Sequence, residues 1–475
     1  MRTGGGGIAG MIRAVVSPFM ADAEKLAAVR TALPALASGI HLNTGSLGPM
    51  PAEVAAAMAE LETYERDIGR AHFDYYLGLL DRMAEARAGV AAVIGADLDE
   101  IALTHATTDG LNIATWGLDW HPGDRAVTTT QEHAGALAPL YALRDRLGVE
   151  IGFADVGDGS DDEWTLDAFD RAIEPGTRLV SVSHVLWSTG AVLPVRRIAE
   201  LARGRGALVV VDGAQAAGAI PVAVHELGAD AYAVPAQKWL LGPEGMGAVW
   251  VARDAWDRIR PSFAGHFSLA SYDSHGSGAW HQDARRFETA GYHRPSVVGM
   301  ARAIGWLSMY VGLEFVLRRG PIAARRAADA LAAIAGVELL TPRHQMGTLV
   351  SFRIGGWPAE AALEELGARV FAIARTIPLV DALRISVGFF NSDDEIDRFV
   401  GAVGLLAAHT PETLPPRRTL AILGEGRAPR RRAARGGRSA GGSSATLRVR
   451  SSGRSARTSP WRSSWVCSTS PTTSP

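Results

Sequence analysis

A chain of 475 residues with 47% hydrophobic and 21% charged side chains has the make-up of a globular protein with a large core, and its length suits two domains plus tails. No run of about 18 uninterrupted apolar residues occurs, which argues against a membrane span, and the single cysteine, Cys467, excludes an internal disulfide and a cysteine-based metal site. The formal charge of −2 hides an asymmetry, because residues 424–475 hold eleven arginines and one glutamate and leave about −12 for the rest.

Residues 1–20 set Arg2 and Arg13 around a glycine run without a convincing cleavage site and read as a disordered leader. Residues 21–40 follow as a polar N-terminal helix that belongs with the smaller domain. Between 41 and 295, apolar runs alternate with helical patterns, as a parallel sheet flanked by helices requires. The strands are predicted at Ile101 to Thr104, Ala126 to Thr130, Glu150 to Ala154, Leu179 to Ser183, Leu208 to Val211, Ala231 to Val234 and Gly247 to Val251. Most are short continuous apolar stretches, the signature of strands buried on both faces. Helices are predicted at Ala52 to Arg66, with Pro51 suited to the first turn, and at Val195 to Gly204, ended by glycine.

From about Ser296 the pattern becomes a long helix, then Leu349 to Ile354, Ala359 to Leu366, Ala382 to Ser386 and a helix from Asp393 to His409, which reads as an α+β domain over 296–410. Residues 411–475 lose periodicity and become Arg, Ser, Gly and Thr, the composition of a disordered tail. A nucleic-acid arm is disfavoured, since charge runs are usually solvated. A reduced, cytoplasmic setting is compatible with the lone cysteine.

Only two lysines, Lys25 and Lys238, stand among 48 Lys and Arg, so nearly every surface cation here is arginine. A guanidinium cannot lose its proton in a protein and makes a poor amine nucleophile, so an amine nucleophile must be lysine. Lys238 lies between two strand-like runs and is the candidate for a Schiff base, whereas Lys25 sits in a polar helix where only solvent is expected. Asp212 ends the run Leu208-Val209-Val210-Val211, at the carboxyl edge of a central strand, where open α/β sheets build their sites.

A pyridine nitrogen beside a buried carboxylate stays protonated and makes the ring an electron sink, and the same ring forms an imine with a lysine amine. Asp212, a strand, then Lys238 is therefore the minimal set for pyridoxal phosphate. Its phosphate needs hydroxyls and backbone N–H groups at a helix start, which Thr107 and Thr108 offer after the first strand, although such a pair is by itself an ordinary N-cap. His133, just beyond the second strand, stands at the right edge to stack on a ring. Gly242 to Gly247 is not a dinucleotide fingerprint, because it precedes a strand rather than opening a helix. Histidines 266, 275, 281 and 293 lack metal spacing, so no metal is expected, and His266 to His281 reads as a flexible, substrate-selecting loop over the site.

In order along roughly 40–410 stand His41-Leu42-Asn43-Thr44-Gly45, Ala106-Thr107-Thr108-Asp109-Gly110, Glu132-His133, Ser183-His184-Val185, Asp212-Gly213-Ala214-Gln215, Gln237-Lys238-Trp239, Arg286-Phe287-Glu288 and Leu383-Arg384-Ile385-Ser386. This set resembles the class V aminotransferase family of fold-type I pyridoxal phosphate enzymes, which includes cysteine desulfurases and isopenicillin N epimerase. The resemblance implies a seven-stranded, mostly parallel large domain with a smaller α+β C-terminal domain, in a homodimer acting on an amino acid. By the same resemblance Lys238 is the Schiff-base lysine and proton shuttle, Asp212 pairs with the pyridine nitrogen, His133 stacks on the ring and Gln215 contacts the phenolic oxygen. Thr107, Thr108 and Gln237 would hold the phosphate, while Arg384, with Asn43 nearby, would bind the substrate's α-carboxylate.

Departures from the family pattern narrow the chemistry. Desulfurases form a persulfide on a cysteine in the loop before the Arg384 segment, but Val370 to Asp381 has none. Pro235-Ala236-Gln237 replaces the Ser-Gly-His of many relatives, Thr289-Ala290-Gly291-Tyr292 replaces Gly-Thr, and Leu186-Trp187 stands where Asn often follows Ser-His-Val. Transamination or epimerisation is therefore the leading expectation, with cysteine-independent C–S elimination second. A non-catalytic cofactor-binding regulator or structural protein is the reading of another class, against which the Lys238, Asp212 and Arg384 set argues.

Overall fold

The computed structural model describes residues 16–417; most of the predicted leader, and the tail beyond 417 with Cys467, lie outside the described residues. Seven strands form the principal sheet: β1 (Ile101–Thr104), β2 (Arg125–Thr129), β3 (Glu150–Ala154), β4 (Thr177–Ser183), β5 (Leu208–Asp212), β6 (Ala231–Pro235) and β7 (Gly247–Val251). Their order across the sheet is β1-β7-β6-β5-β4-β2-β3. Only β7 runs antiparallel to its neighbours; the other pairs are parallel. Every residue of β5 and β6 is buried, which explains their valine and alanine runs, as in parallel strands covered on both faces.

The chain direction places the ends of β1, β2, β4, β5 and β6 on one edge. The segments leaving that edge open the helices Thr107–Trp116 and Ala134–Leu147, and the second of these stops at Gly148, whose φ of +69° suits glycine. Helices Ala52–Asp67 and Phe73–Ile94 pack with Arg294–Gly305. The 22-residue helix Phe73–Ile94 was not anticipated from the sequence; it buries Met83, Ala86, Val90 and Ile94 along one stripe.

Four antiparallel strands form a second sheet in the order Val337–Leu339, Leu349–Ile354, Ala382–Ser386, Arg375–Ile377. Its core holds Leu331, Phe352, Leu366, Ile385 and Phe399. Along the helical stretch Arg294–Ala332 the first core continues through Val297, Met300, Ile304, Leu307 and Val316, and the second takes over at Ala323. This stretch has the length and composition of a membrane-spanning segment, yet Val297, Met300, Ile304, Leu307 and Val316 are buried in the first core and Ala323, Ala327 and Leu331 in the second.

The N-terminal segment contributes to both cores. Ala28, Val29 and Leu33 lie in the first, whereas Ile40 and Leu42 enter the second, where Ile40–His41 pairs in parallel with Ala372–Ile373. Arg30 clamps Glu395 end-on through Nη1 and Nη2 at 2.8 and 2.7 Å, tying helix Asp22–Ala32 to helix Asp393–Ala407. Lys25 corrects the solvent expectation: it is buried, its Nζ donates to the Pro18 carbonyl at 2.8 Å and lies 5.0 Å from the Phe315 ring centroid. The stretch His266 to His281 contains an antiparallel hairpin, Leu269–Tyr272 with Gly278–Trp280.

Candidate active site

A cavity of about 260 Å³ opens at the carboxyl edge of the principal sheet. Asp212, the last residue of β5, lines it and is buried; its Oδ1 accepts the Ala214 N–H at 2.8 Å. Gly213 lets the chain turn there, because a Cβ at this position would come within 2.0 Å of the Tyr232 ring. The Tyr232 hydroxyl and His184 Nδ1 share a hydrogen bond at 2.9 Å, and burial pushes the imidazole down to about 4, so the ring stays neutral.

Lys238 follows β6 in a turn held by the Gly48 N–H on the Gln237 carbonyl at 2.8 Å and the Leu241 N–H on the Lys238 carbonyl at 3.2 Å. Burial lowers its ammonium to about 8; Asp212 opposes that shift, while Arg384 and Arg375 add to it. Its amine is therefore partly neutral near physiological pH, as an amine nucleophile or base requires.

His133 caps helix Ala134–Leu147: its Nδ1 accepts the Gly135 N–H at 3.1 Å, which assigns the remaining proton to Nε2. Burial, followed by the charge of Lys238, keeps the ring toward its neutral form. The preceding residue, Glu132, is fully enclosed and accepts from Thr129 Oγ1 at 3.0 Å, from the Ser183 N–H at 2.9 Å and from Ser183 Oγ. Burial raises its carboxyl to about 7. Ser183 is the β4 register partner of Asp212, so this network braces the strand ends that carry the site.

Thr107 and Thr108 open their helix at the cavity wall, and Ala106 before them contributes no capping side chain. Hydroxyls and first-turn N–H groups are together a receptor for an anion. Gln237 lines the same wall with a buried carboxamide oxygen that has no partner. Gln215 also reaches the cavity, but its amide is committed at both ends, donating to the Gly45 carbonyl at 2.9 Å and accepting from Trp239 Nε1 at 3.1 Å.

Arg384 projects from the strand Ala382–Ser386 and is 1% exposed. Its Nη1 donates to the Trp187 carbonyl at 2.7 Å, while Nε and Nη2 are buried without a partner among the described residues. Burial and the neighbouring Arg375 both push this guanidinium downward, the mark of a cation lacking a counter-ion. Asn43 is displaced from the lining: Gly45 and Ser46 reach the cavity instead, and Asn43 Oδ1 accepts from Ser46 Oγ at 2.8 Å.

Sequence reasoning missed Arg375, and it noted Trp187 only as a departure from the family pattern. Both line the cavity, with the Arg375 guanidinium 5.7 Å from the Trp187 ring and His133 meeting that ring edge-on at 5.3 Å. Buried donors without a partner among the described residues, an uncapped helix start, a carboxylate and an amine lining one cavity fit pyridoxal phosphate carrying an amino acid. The cluster of Asp97, Glu100 and His225 is not comparable, because Arg253 already pairs with Asp97 and Glu100, and Trp250 and His225 occupy Glu100 Oε2.

The model of the Aminotransferase class-V family matches residues 45–399. A probable cysteine desulfurase of Methanothermobacter thermautotrophicus is 28% identical over 384 residues, 78% of this chain and 94% of that protein. The isopenicillin N epimerase of Streptomyces clavuligerus is 29% identical over 382 residues, 77% of this chain and 94% of that protein. Among solved structures, a lysine-to-alanine variant of C-DES with glycine covalently linked to its PLP cofactor has a TM-score of 0.75 at 27% identity, covering 79% of this chain and 98% of that one. The cystine C-S lyase C-DES with its product cysteine persulfide gives 0.73 at 27% identity, covering 78% and 99%. The chain belongs to the class V aminotransferase family and is a pyridoxal phosphate-dependent enzyme of the fold-type I architecture.

Proposed function

We propose that this enzyme acts at the Cα of an amino acid as an aminotransferase or epimerase-like catalyst, in a homodimer. The observation that carries the proposal is the free Nε and Nη2 edge of Arg384, buried in the cavity that also holds Lys238. That edge has the geometry to take an α-carboxylate side-on. When bound, pyridoxal phosphate supplies an electron sink for charge developing at Cα.

The chain's own groups do the rest. Asp212 supplies the negative charge that keeps a pyridine nitrogen cationic, His133 offers a neutral ring face for stacking, and Thr107, Thr108 and Gln237 hold the phosphate. Gln215 has one amide hydrogen left for the phenolic oxygen. Lys238, partly neutral, takes a proton from Cα; returning it elsewhere gives transamination, whereas epimerisation requires a proton delivered to the opposite face of Cα. Arg384 fixes the substrate so that one Cα bond faces that amine.

Cysteine-independent C–S elimination is the second reading. Its support is the similarity to the cystine C-S lyase C-DES, together with the absence of cysteine from 370–381, where a persulfide-forming desulfurase carries its nucleophile. An amino-acid panel followed by absorbance, with assays for keto acid, inverted stereochemistry and sulfide, separates the readings. A spectral response to no amino acid, or activity that survives Lys238→Ala, would overturn the proposal.

A further inference from the structure

Arg375 and Arg384 are register partners on adjacent antiparallel strands. Two like charges opposed in this way destabilise a sheet, so their presence calls for a compensating partner. Every hydrogen-bond partner of the two guanidiniums in the described residues is neutral: the Trp187 carbonyl for Arg384, and the Thr376 carbonyl and Ser46 Oγ for Arg375. Among the described residues, three cationic side chains, Lys238, Arg375 and Arg384, thus line a cavity in which Asp212 is the only carboxylate.

One α-carboxylate fills the free edge of Arg384 and leaves Arg375 without a counter-charge. Trp187 sits between the two arginines: its carbonyl holds Arg384, its ring lies 5.7 Å from the Arg375 guanidinium, and its indole Nε1 is buried with no acceptor. An indole N–H with no acceptor among the described residues, beside a guanidinium that has neutral partners but no counter-ion among them, is a site for a second anion. Arg375 is itself pushed downward by burial, and it depresses both Arg384 and Lys238, as an unneutralised charge in this cavity would.

We propose that Arg375 and the indole N–H of Trp187 bind a second acidic group, so that the enzyme selects amino acids with an anionic side chain over those with a neutral one. The inference rests on the reading of Arg384 as the α-carboxylate site. It assigns a role to the tryptophan that replaces the asparagine of the family pattern: the indole adds a donor and a flat face on which the guanidinium rests.

The test uses unreactive probes on the cofactor-loaded enzyme. Malonate, succinate, glutarate and adipate are titrated calorimetrically against the monocarboxylates of equal chain length, none of which carries an amine. At least one diacid should bind ~10-fold or more tightly than its monoacid, the worth of one charge-assisted hydrogen bond to a buried guanidinium. Arg375→Gln should remove that preference without weakening the monoacid, Arg375→Lys should keep part of it, and Trp187→Phe should weaken the diacid by ~3- to 10-fold.

The proposal fails if no diacid outbinds its monoacid while monoacid binding still depends on Arg384. It fails equally if Arg375→Gln weakens both probes alike, since both arginines would then grip a single carboxylate. Monoacid binding unchanged by Arg384→Gln would instead remove the underlying reading of Arg384, and the second-anion site with it.

Discussion

The amine of Lys238 gives a prediction that needs no substrate. Burial lowers it to about 8 against 10.5 for a free lysine, and the carboxylate of Asp212 resists the shift. At pH 7 a group titrating near 8 is neutral in about one molecule in ten, against about three in ten thousand at 10.5, a gain of about 300-fold in reactive amine. Cofactor-free protein is exposed to cyanate, which carbamylates only neutral amines, across pH 6 to 11, and the peptide bearing Lys238 is followed by mass spectrometry. The rate should rise with a midpoint near 8. In Asp212→Asn the midpoint should fall further, because the remaining influences, burial and two arginines, all disfavour the ammonium. A midpoint at or above 10, or one that rises in Asp212→Asn, would refute this account of the cavity's electrostatics.

Other perturbations address the surrounding framework. Glu132 titrates near 7 in the fold against 4.5 when free, so its contribution to stability is full below about 4.5 and lost as pH rises through 7; Glu132→Gln should flatten urea-denaturation stability across that window. Arg384→Leu removes two unpaired buried donors and should stabilise cofactor-free protein by about 1–3 kcal/mol in thermal melts while abolishing amino-acid binding by calorimetry. Arg87 and Glu288 form a buried pair at 2.7 and 2.8 Å, and Glu288 also accepts the Leu103 N–H at 2.9 Å; Glu288→Ala should cost about 3–5 kcal/mol of unfolding free energy in urea.

The principal sheet was legible because its strands are continuous apolar runs punctuated by turns: β1, β3 and β7 begin and end where the sequence places them. Helix Phe73–Ile94 was not, since glycines 78 and 89 and an aromatic-rich start blur its period, and its apolar stripe makes sense only against Arg294–Gly305. The site divides in the same way. Asp212 and Lys238 announce themselves through type and position at strand ends, properties visible in one dimension. Arg375 stands nine residues before Arg384 in a chain rich in arginine, and only the antiparallel register brings the two together. Gln215 and Lys25 illustrate the converse: their types were read correctly, but the Gly45, Trp239 and Phe315 contacts that occupy them arise from distant segments.

Borohydride reduction followed by peptide mapping tests the central claim most directly, because the chain offers only two lysines. The account predicts that reduced pyridoxal phosphate is tethered to the peptide containing Lys238, and that Lys238→Ala carries none. Cofactor fixed to Lys25, or recovered unattached from the reduced protein, would contradict it.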